Sequence, residues 1–203
     1  MPITYIVVHY TANNGDTAAG NASYFANNRN LSASAHYFVD EYDTVYQSVN
    51  DSDTAWHCGG GLQGSGGHEY YQKCFNSNSI GVELCSRKNG NTYYFKPETV
   101  KNAAALVREL MERYKIPAGH VIRHYDVTGK ICPAPFVENQ TEWEAFQQML
   151  NQPKELMSAA EAIAVLEKAG IICEPEKWYA GTWTDDDFKW LIRKMGEWVK
   201  ERL

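Results

Sequence analysis

No run of apolar residues in this 203-residue chain approaches the ~18–20 that a membrane helix needs, so no segment is expected to insert into a bilayer. Basic charge is also scarce. Against 25 Asp and Glu stand only 19 Lys and Arg, a formal net charge of −6, and the chain is acidic on both sides of residue 155. Binding nucleic acid calls for a cationic face to neutralise phosphates, and none is supplied. The five cysteines (58, 74, 85, 132 and 173) are odd in number and irregularly spaced, which argues against a disulfide framework and fits a reducing cytosol. The glycine-rich residues 59–67 lack a following Gly-Lys-Ser/Thr and so form no phosphate loop; a solvated connector and a cleft wall are equally good readings. Residues 1–9 have no basic lead and no small-residue cleavage site, and they read as a strand instead of a secretory signal.

What the chain does contain is an alternation of short apolar runs with amphipathic stretches. Residues 5–9 are rich in β-branched side chains and predict a buried strand. Residues 16–28, rich in alanine with Tyr24 and Phe25 on one face, predict a helix that ends at Asn27-Asn28-Arg29-Asn30. Residues 35–39 and 44–49 predict a hairpin around Asp40-Glu41-Tyr42-Asp43. Residues 79–86 predict an interior strand. Residues 97–114 predict a helix opened by Pro97, striped by Val100, Ala104, Val107, Leu110 and Met111, and stopped by Ile116-Pro117. Such interleaving predicts an α/β fold, a mixed central β-sheet flanked by helices.

The pattern changes near Asn151-Gln152-Pro153-Lys154, which divides the chain into expected domains at 1–152 and 153–203. In the second, Ser158-Ala159-Ala160-Glu161 is a capping box, Ile163, Leu166 and Ala169 share a face, and Gly170 is a stop. A further helix opens at Thr184-Asp185-Asp186-Asp187, with Phe188, Leu191, Ile192, Met195, Trp198 and Val199 as its apolar side. Trp178, Tyr179, Trp183, Trp190 and Trp198 are expected to fill a small core in preference to stacking on sugars.

Five residues suggest chemistry. His9 closes the first strand, and His124 and Cys132 lie eight positions apart in the run Arg123-His124-Tyr125-Asp126-Val127-Thr128-Gly129-Lys130-Ile131-Cys132-Pro133. Two imidazoles and one thiolate make a three-ligand set for Zn²⁺ with the fourth tetrahedral position open to water, as in catalytic zinc sites. Glu83 lies between Val82 and Leu84, where a carboxylate is costly unless paired or functional. It could accept a proton from water and pass it on. Lys130 could offset negative charge on an oxyanion. Taken singly, each has an ordinary alternative: a strand-end histidine, a small buried cysteine, an edge glutamate, a surface lysine.

Five segments occur in order: Val7-Val8-His9-Tyr10-Thr11, Ser34-Ala35-His36-Tyr37-Phe38-Val39-Asp40, Thr54-Ala55-Trp56-His57-Cys58-Gly59, Asn78-Ser79-Ile80-Gly81-Val82-Glu83, and His124-Tyr125-Asp126 through Lys130-Ile131-Cys132-Pro133. Over residues 3–150 the chain thereby resembles the zinc N-acetylmuramoyl-L-alanine amidases of the type 2 amidase and peptidoglycan recognition protein superfamily, which includes many phage endolysins. The resemblance implies zinc ligands at His9, His124 and Cys132, a catalytic carboxylate at Glu83 and a cationic partner at Lys130. It places His57 in the substrate groove without a bond to metal; His36 is expected in the same groove, as a supporting strand residue instead of a ligand. Some members carry a tyrosine just before the histidine matched by His36. This chain has Ala35 there, and Tyr37 should face the other side of its strand. Asp126 is expected to tighten the turn after His124, and His68 and His120 to be ordinary.

The implied activity is hydrolysis of the amide between N-acetylmuramic acid and L-alanine in bacterial peptidoglycan. The protein is expected to accumulate in the cytoplasm and to act on the wall after release by another agent. The C-terminal unit resembles short helical tails of wall hydrolases and could bind wall or dock. Two other readings are open, a non-catalytic peptidoglycan-binding module and a cysteine peptidase of wall peptides using Cys132 and His124. The sequence leaves oligomeric state open.

Overall fold

Strand β1 (Tyr5–Tyr10) is interior to the sheet and buried on both faces, Ile6 and Val8 on one side and Val7 on the other, which is why residues 6–8 form a continuous apolar run. The computed structural model describes residues 2–28, 30–42, 44–152 and 158–202. These fall into two compact units, residues 1–152 and 153–203. Arg29, Asp43, Pro153 and Lys154, each part of an expected boundary or turn, lie outside the described residues.

In the first unit, β1 is followed by α1 (Ala18–Asn27), β2 (Tyr37–Val39), β3 (Tyr46–Gln47) and β4 (Ser79–Leu84). Next come the hairpin β5 (Arg87–Asn89) and β6 (Thr92–Tyr94), then α2 (Pro97–Tyr114), β7 (Val121–Arg123), α3 (His124–Thr128), α4 (Ala134–Glu138) and α5 (Gln140–Asn151). The main sheet has the order β3-β2-β4-β1-β7. Strands β2, β4, β1 and β7 are mutually parallel, and β3 alone is antiparallel, paired with β2. The sheet is therefore mixed and flanked by helices, as the pattern predicts.

Side chains alternate between the two faces of the sheet. Ile6, Val8, Ile80, Val82, Leu84 and Val121 enter one core with Ala103, Ala104, Val107 and Leu110 of α2, Phe136 of α4, and Trp143, Phe146 and Leu150 of α5. Val7 and Ile122 point the other way, into a smaller cluster with Cys58, Cys74 and Val127. Helix α1 covers β2 through Ala18, Ala35, Phe38 and Cys85. It begins two residues later than predicted because Thr17 is its N-cap, accepting from the Gly20 N–H. Helix α2 matches its expected span and ends on Lys115 in the left-handed conformation, φ 55°, just before Ile116-Pro117. The expected hairpin forms with much shorter strands, Tyr37 opposite Gln47 and Phe38 opposite Tyr46.

The glycine-rich residues 59–67 are neither a free connector nor a wall of the cleft described below. They pack onto α3, where the Gln63 N–H donates to the Thr128 carbonyl and the His68 N–H to that of Tyr125. Gly129 makes this possible. It caps α3 at φ 80°, and a Cβ there would lie 1.9 Å from the Gln63 carbonyl oxygen.

The second unit holds α6 (Ala159–Lys168), α7 (Pro175–Tyr179) and α8 (Asp185–Lys200). Capping boxes form at Ser158 with Glu161 and at Thr184 with Asp187. Its core is Ile171, Ile172 and Leu191, with Ile163, Leu166, Ala169, Trp178 and Trp198 packed around it. The expectation that all five aromatics fill this core needs correction: Tyr179, Trp183 and Trp190 are exposed, as are Phe188, Ile192, Met195 and Val199 of α8. Three buried residues cannot cover so many large side chains.

Candidate active site

Phe38, Glu83 and His9 stand side by side in register across β2, β4 and β1, on the face opposite the main core. The same register sets Val7 beside Gly81 and Tyr5 beside Ser79. His124 follows β7 directly as the first residue of α3. The Tyr125 N–H donates to the Cys132 carbonyl at 2.8 Å, folding the loop back so that the cysteine returns to His124.

Sequence-distant donors thus converge. One ring nitrogen each from His9 and His124 and the sulfur of Cys132 all lie within 4.8 Å of one another, and all three residues are buried. His9 Nδ1 is 3.6 Å from Cys132 Sγ. Among the described residues neither ring nitrogen of His124 has a hydrogen-bond partner although both are buried, an expensive arrangement unless something else binds there. Burial, with mutual repulsion and Lys130 adding to it, holds His9 well below the ordinary imidazole range. Burial and then Lys130 hold His124 at about 3. Both rings are therefore neutral and keep lone pairs to donate. Burial, with the Glu83 charge, pushes the Cys132 thiol up to about 12, so a cation must displace its proton to bind. Two imidazole nitrogens and one sulfur suit a borderline-soft divalent cation.

Glu83 and Lys130 face this cluster across a cleft of about 240 Å³, whose walls include Tyr10, Phe25, Ser34, Trp56 and His57. Burial raises the Glu83 carboxyl to about 8, with Lys130 opposing the shift, and its Oε2 has no hydrogen-bond partner among the described residues. The cleft continues past Glu83 into a hollow of about 520 Å³ lined by Asn13, Asn21, Tyr24 and Phe38. Trp56 is 65% exposed at the rim.

His57 lines the cleft, its Nδ1 3.0 Å from His9 Nε2 and its Nε2 3.2 Å from Ser79 Oγ. His36 does not line it, which corrects its placement in the groove. Fully buried, it accepts from the Gly81 N–H at Nδ1 and donates from Nε2 to the Asp53 carbonyl, tying β4 to the 48–53 turn. Asp126 tightens the turn by accepting from the Arg123 N–H and pairing with its guanidinium; it makes no bond to His124. Tyr37 faces away and donates to Asp51. His68 and His120 bond to the Gly66 and Thr4 carbonyls. Sequence reasoning missed Ser79 and Asn76. Asn76 Oδ1 accepts from the His57 and Cys58 N–H groups and so fixes the loop that carries His57. The readable signal for Ser79 was its period-two spacing with Gly81 and Glu83.

Comparison with known proteins points the same way. A family model described as N-acetylmuramoyl-L-alanine amidase matches residues 1–135. The chain is 35% identical over 158 residues to the N-acetylmuramoyl-L-alanine amidase CwlL of Bacillus licheniformis, covering 72% of this chain and 40% of CwlL. It is 35% identical over 147 residues to CwlH of Bacillus subtilis (strain 168), covering 72% of this chain and 52% of CwlH. It therefore spans about half or less of these curated relatives. The solved structure of PlyL superposes with a TM-score of 0.60 at 31% identity, covering 75% of this chain and 86% of that one.

Proposed function

We propose that this chain, which belongs to the N-acetylmuramoyl-L-alanine amidase family, hydrolyses the amide joining the lactyl group of N-acetylmuramic acid to L-alanine in bacterial peptidoglycan, using zinc held by His9, His124 and Cys132. The observation that carries this reading is the convergence of those three buried donors, with the His124 nitrogens unpartnered, at a cleft that also holds Glu83 and Lys130. When bound, zinc supplies Lewis acidity, polarising the amide carbonyl and making water a nucleophile near neutral pH.

The chain's own residues do the rest. As a carboxylate, Glu83 takes the proton of the attacking water; as an acid, it delivers that proton to the departing alanine nitrogen. Its pKa of about 8 leaves both forms accessible near neutrality. Lys130 offsets negative charge growing on the substrate oxygen. The apolar walls Phe25 and Trp56 give a sugar or lactyl group surface to pack against.

The protein acts on the wall after release from the cytoplasm by another agent, and residues 153–203 serve as an accessory wall-binding or docking unit. A cysteine peptidase is disfavoured because a thiol pushed to about 12 is a poor nucleophile. A purely binding module would have no use for a buried carboxyl poised between proton donor and acceptor. Digestion of purified peptidoglycan, with and without a chelator, tests the proposal. New N-terminal alanine, absent under chelation and unaccompanied by new reducing sugar ends, is expected. Chelator-resistant cleavage, or new reducing ends, would overturn it.

A further inference from the structure

Ser79 is fully buried at the start of β4, on the face that carries Glu83 four residues later. Its Oγ lies 2.6 Å from the Phe75 carbonyl oxygen and 3.2 Å from His57 Nε2. A carbonyl oxygen can only accept, and two oxygens this close need a proton between them, so the single Ser79 hydroxyl proton points at Phe75. His57 Nε2 must then be the donor to Ser79. In a neutral imidazole that leaves Nδ1 as the acceptor, and the atom facing it at 3.0 Å is His9 Nε2. His9 Nε2 is consequently protonated. Its lone pair sits on Nδ1, the nitrogen 3.6 Å from Cys132 Sγ.

We propose that Ser79 and His57 are positioning residues, a relay anchored on the Phe75 carbonyl that fixes the tautomer and ring orientation of His9 so that Nδ1 is the nitrogen offered to the metal. The relay rests on the reading of His9 as a ligand. It accounts for one further residue of the Asn78-Ser79-Ile80-Gly81-Val82-Glu83 segment. The His57 ring lies directly against Gly81, where a Cβ would come within 2.6 Å of its Cγ, so position 81 has room for glycine alone. Ser79, Gly81 and Glu83 thus have linked tasks on one strand face: to orient the imidazole, to admit it, and to carry the proton. Partners of this kind behind a metal-bound histidine are worth roughly 10–100-fold in metal affinity.

The test is ¹H–¹⁵N spectroscopy of the histidine rings in the full chain, free and zinc-loaded, together with zinc affinity by chelator competition for wild type and Ser79→Ala. Wild-type His57 is expected as the Nε2–H tautomer and His9 as Nε2–H, with zinc shifting His9 Nδ1. In Ser79→Ala the fixed tautomer of His57 is lost and zinc binds roughly 10–100-fold more weakly. The wild-type spectrum needs no variant to fold. His57 found as Nδ1–H, or His9 ligating through Nε2, would overturn the relay and leave the ligand set standing. Zinc that leaves the His9 signals unmoved would overturn the ligand set and the relay together.

Discussion

His9 and Glu83 are direct neighbours across parallel strands β1 and β4, so one pair of adjacent strands carries both a proposed metal ligand and the proposed proton carrier. The two functions are separable because Glu83 lies outside the three-donor cluster. Glu83→Gln keeps the shape and removes the proton traffic. Turnover of peptidoglycan should fall about 10²–10⁴-fold while the variant still binds one zinc per chain. Turnover within a few-fold of wild type, measured alongside metal content, would contradict the assignment.

The raised pKa of Glu83 carries a stability signature in the metal-free protein. Burial lifts it from an ordinary value of 4.5 to about 8, so the folded state holds its proton more tightly than the unfolded chain. Stability from this group is complete below ~4.5 and is lost as pH rises through ~8. His9 and His124 work the other way. Their folded pKa values are depressed, so their contribution is present above ~6.5 and lost as pH falls. Comparing Glu83→Gln with wild type cancels the histidines. Urea unfolding of both metal-free proteins should show the variant gaining on wild type by roughly 2–4 kcal/mol between pH 5 and pH 8.5. A difference independent of pH would count against a buried, protonated Glu83.

Much of this arrangement was legible in the sequence, and where it was not there is a physical reason. The span of α2 was readable because Pro97, an apolar stripe and Ile116-Pro117 agree with one another. The interior position of β4 showed in Ile80, Val82 and Leu84, which all enter the main core. The grouping of His9, His124 and Cys132 was readable because histidine and cysteine are rare enough for their order to carry information. The packing of residues 59–67 onto α3 was hidden, since glycines serve equally in loose connectors and in close backbone contacts. His36 looked like a groove residue because its type suggests chemistry, yet both its ring nitrogens are spent on backbone groups that no local pattern foretells. The outward aromatics of α8 follow the expected helical spacing, but spacing alone does not say how much core exists to receive them.

Gly129 gives a sharp test of that hidden packing. Gly129→Ala places a Cβ against the Gln63 carbonyl at a backbone angle that alanine resists. Stability should drop by about 3 kcal/mol or more, read as a lower urea midpoint. Because α3 begins with His124, zinc affinity should weaken with it. An alanine variant as stable as wild type would mean that residues 59–67 do not pack closely on α3.

Residues 1–152 contain the sheet, its cores and every proposed site residue. A chain ending at Gln152 should therefore fold cooperatively, bind one zinc, and cleave a soluble muramyl peptide at a rate within about threefold of the full chain, since it keeps every proposed site residue. Loss of activity on intact wall but not on the soluble peptide would assign residues 153–203 to wall engagement. Failure of the shortened chain to fold would contradict its independence.

X-ray absorption at the zinc edge of the loaded protein tests the central claim most directly, because it reads the ligand atoms themselves. The account predicts two imidazole nitrogens at ~2.0 Å and one sulfur at ~2.3 Å, with the sulfur scatterer lost in Cys132→Ser. A zinc environment without sulfur, or one unchanged by that substitution, would contradict it.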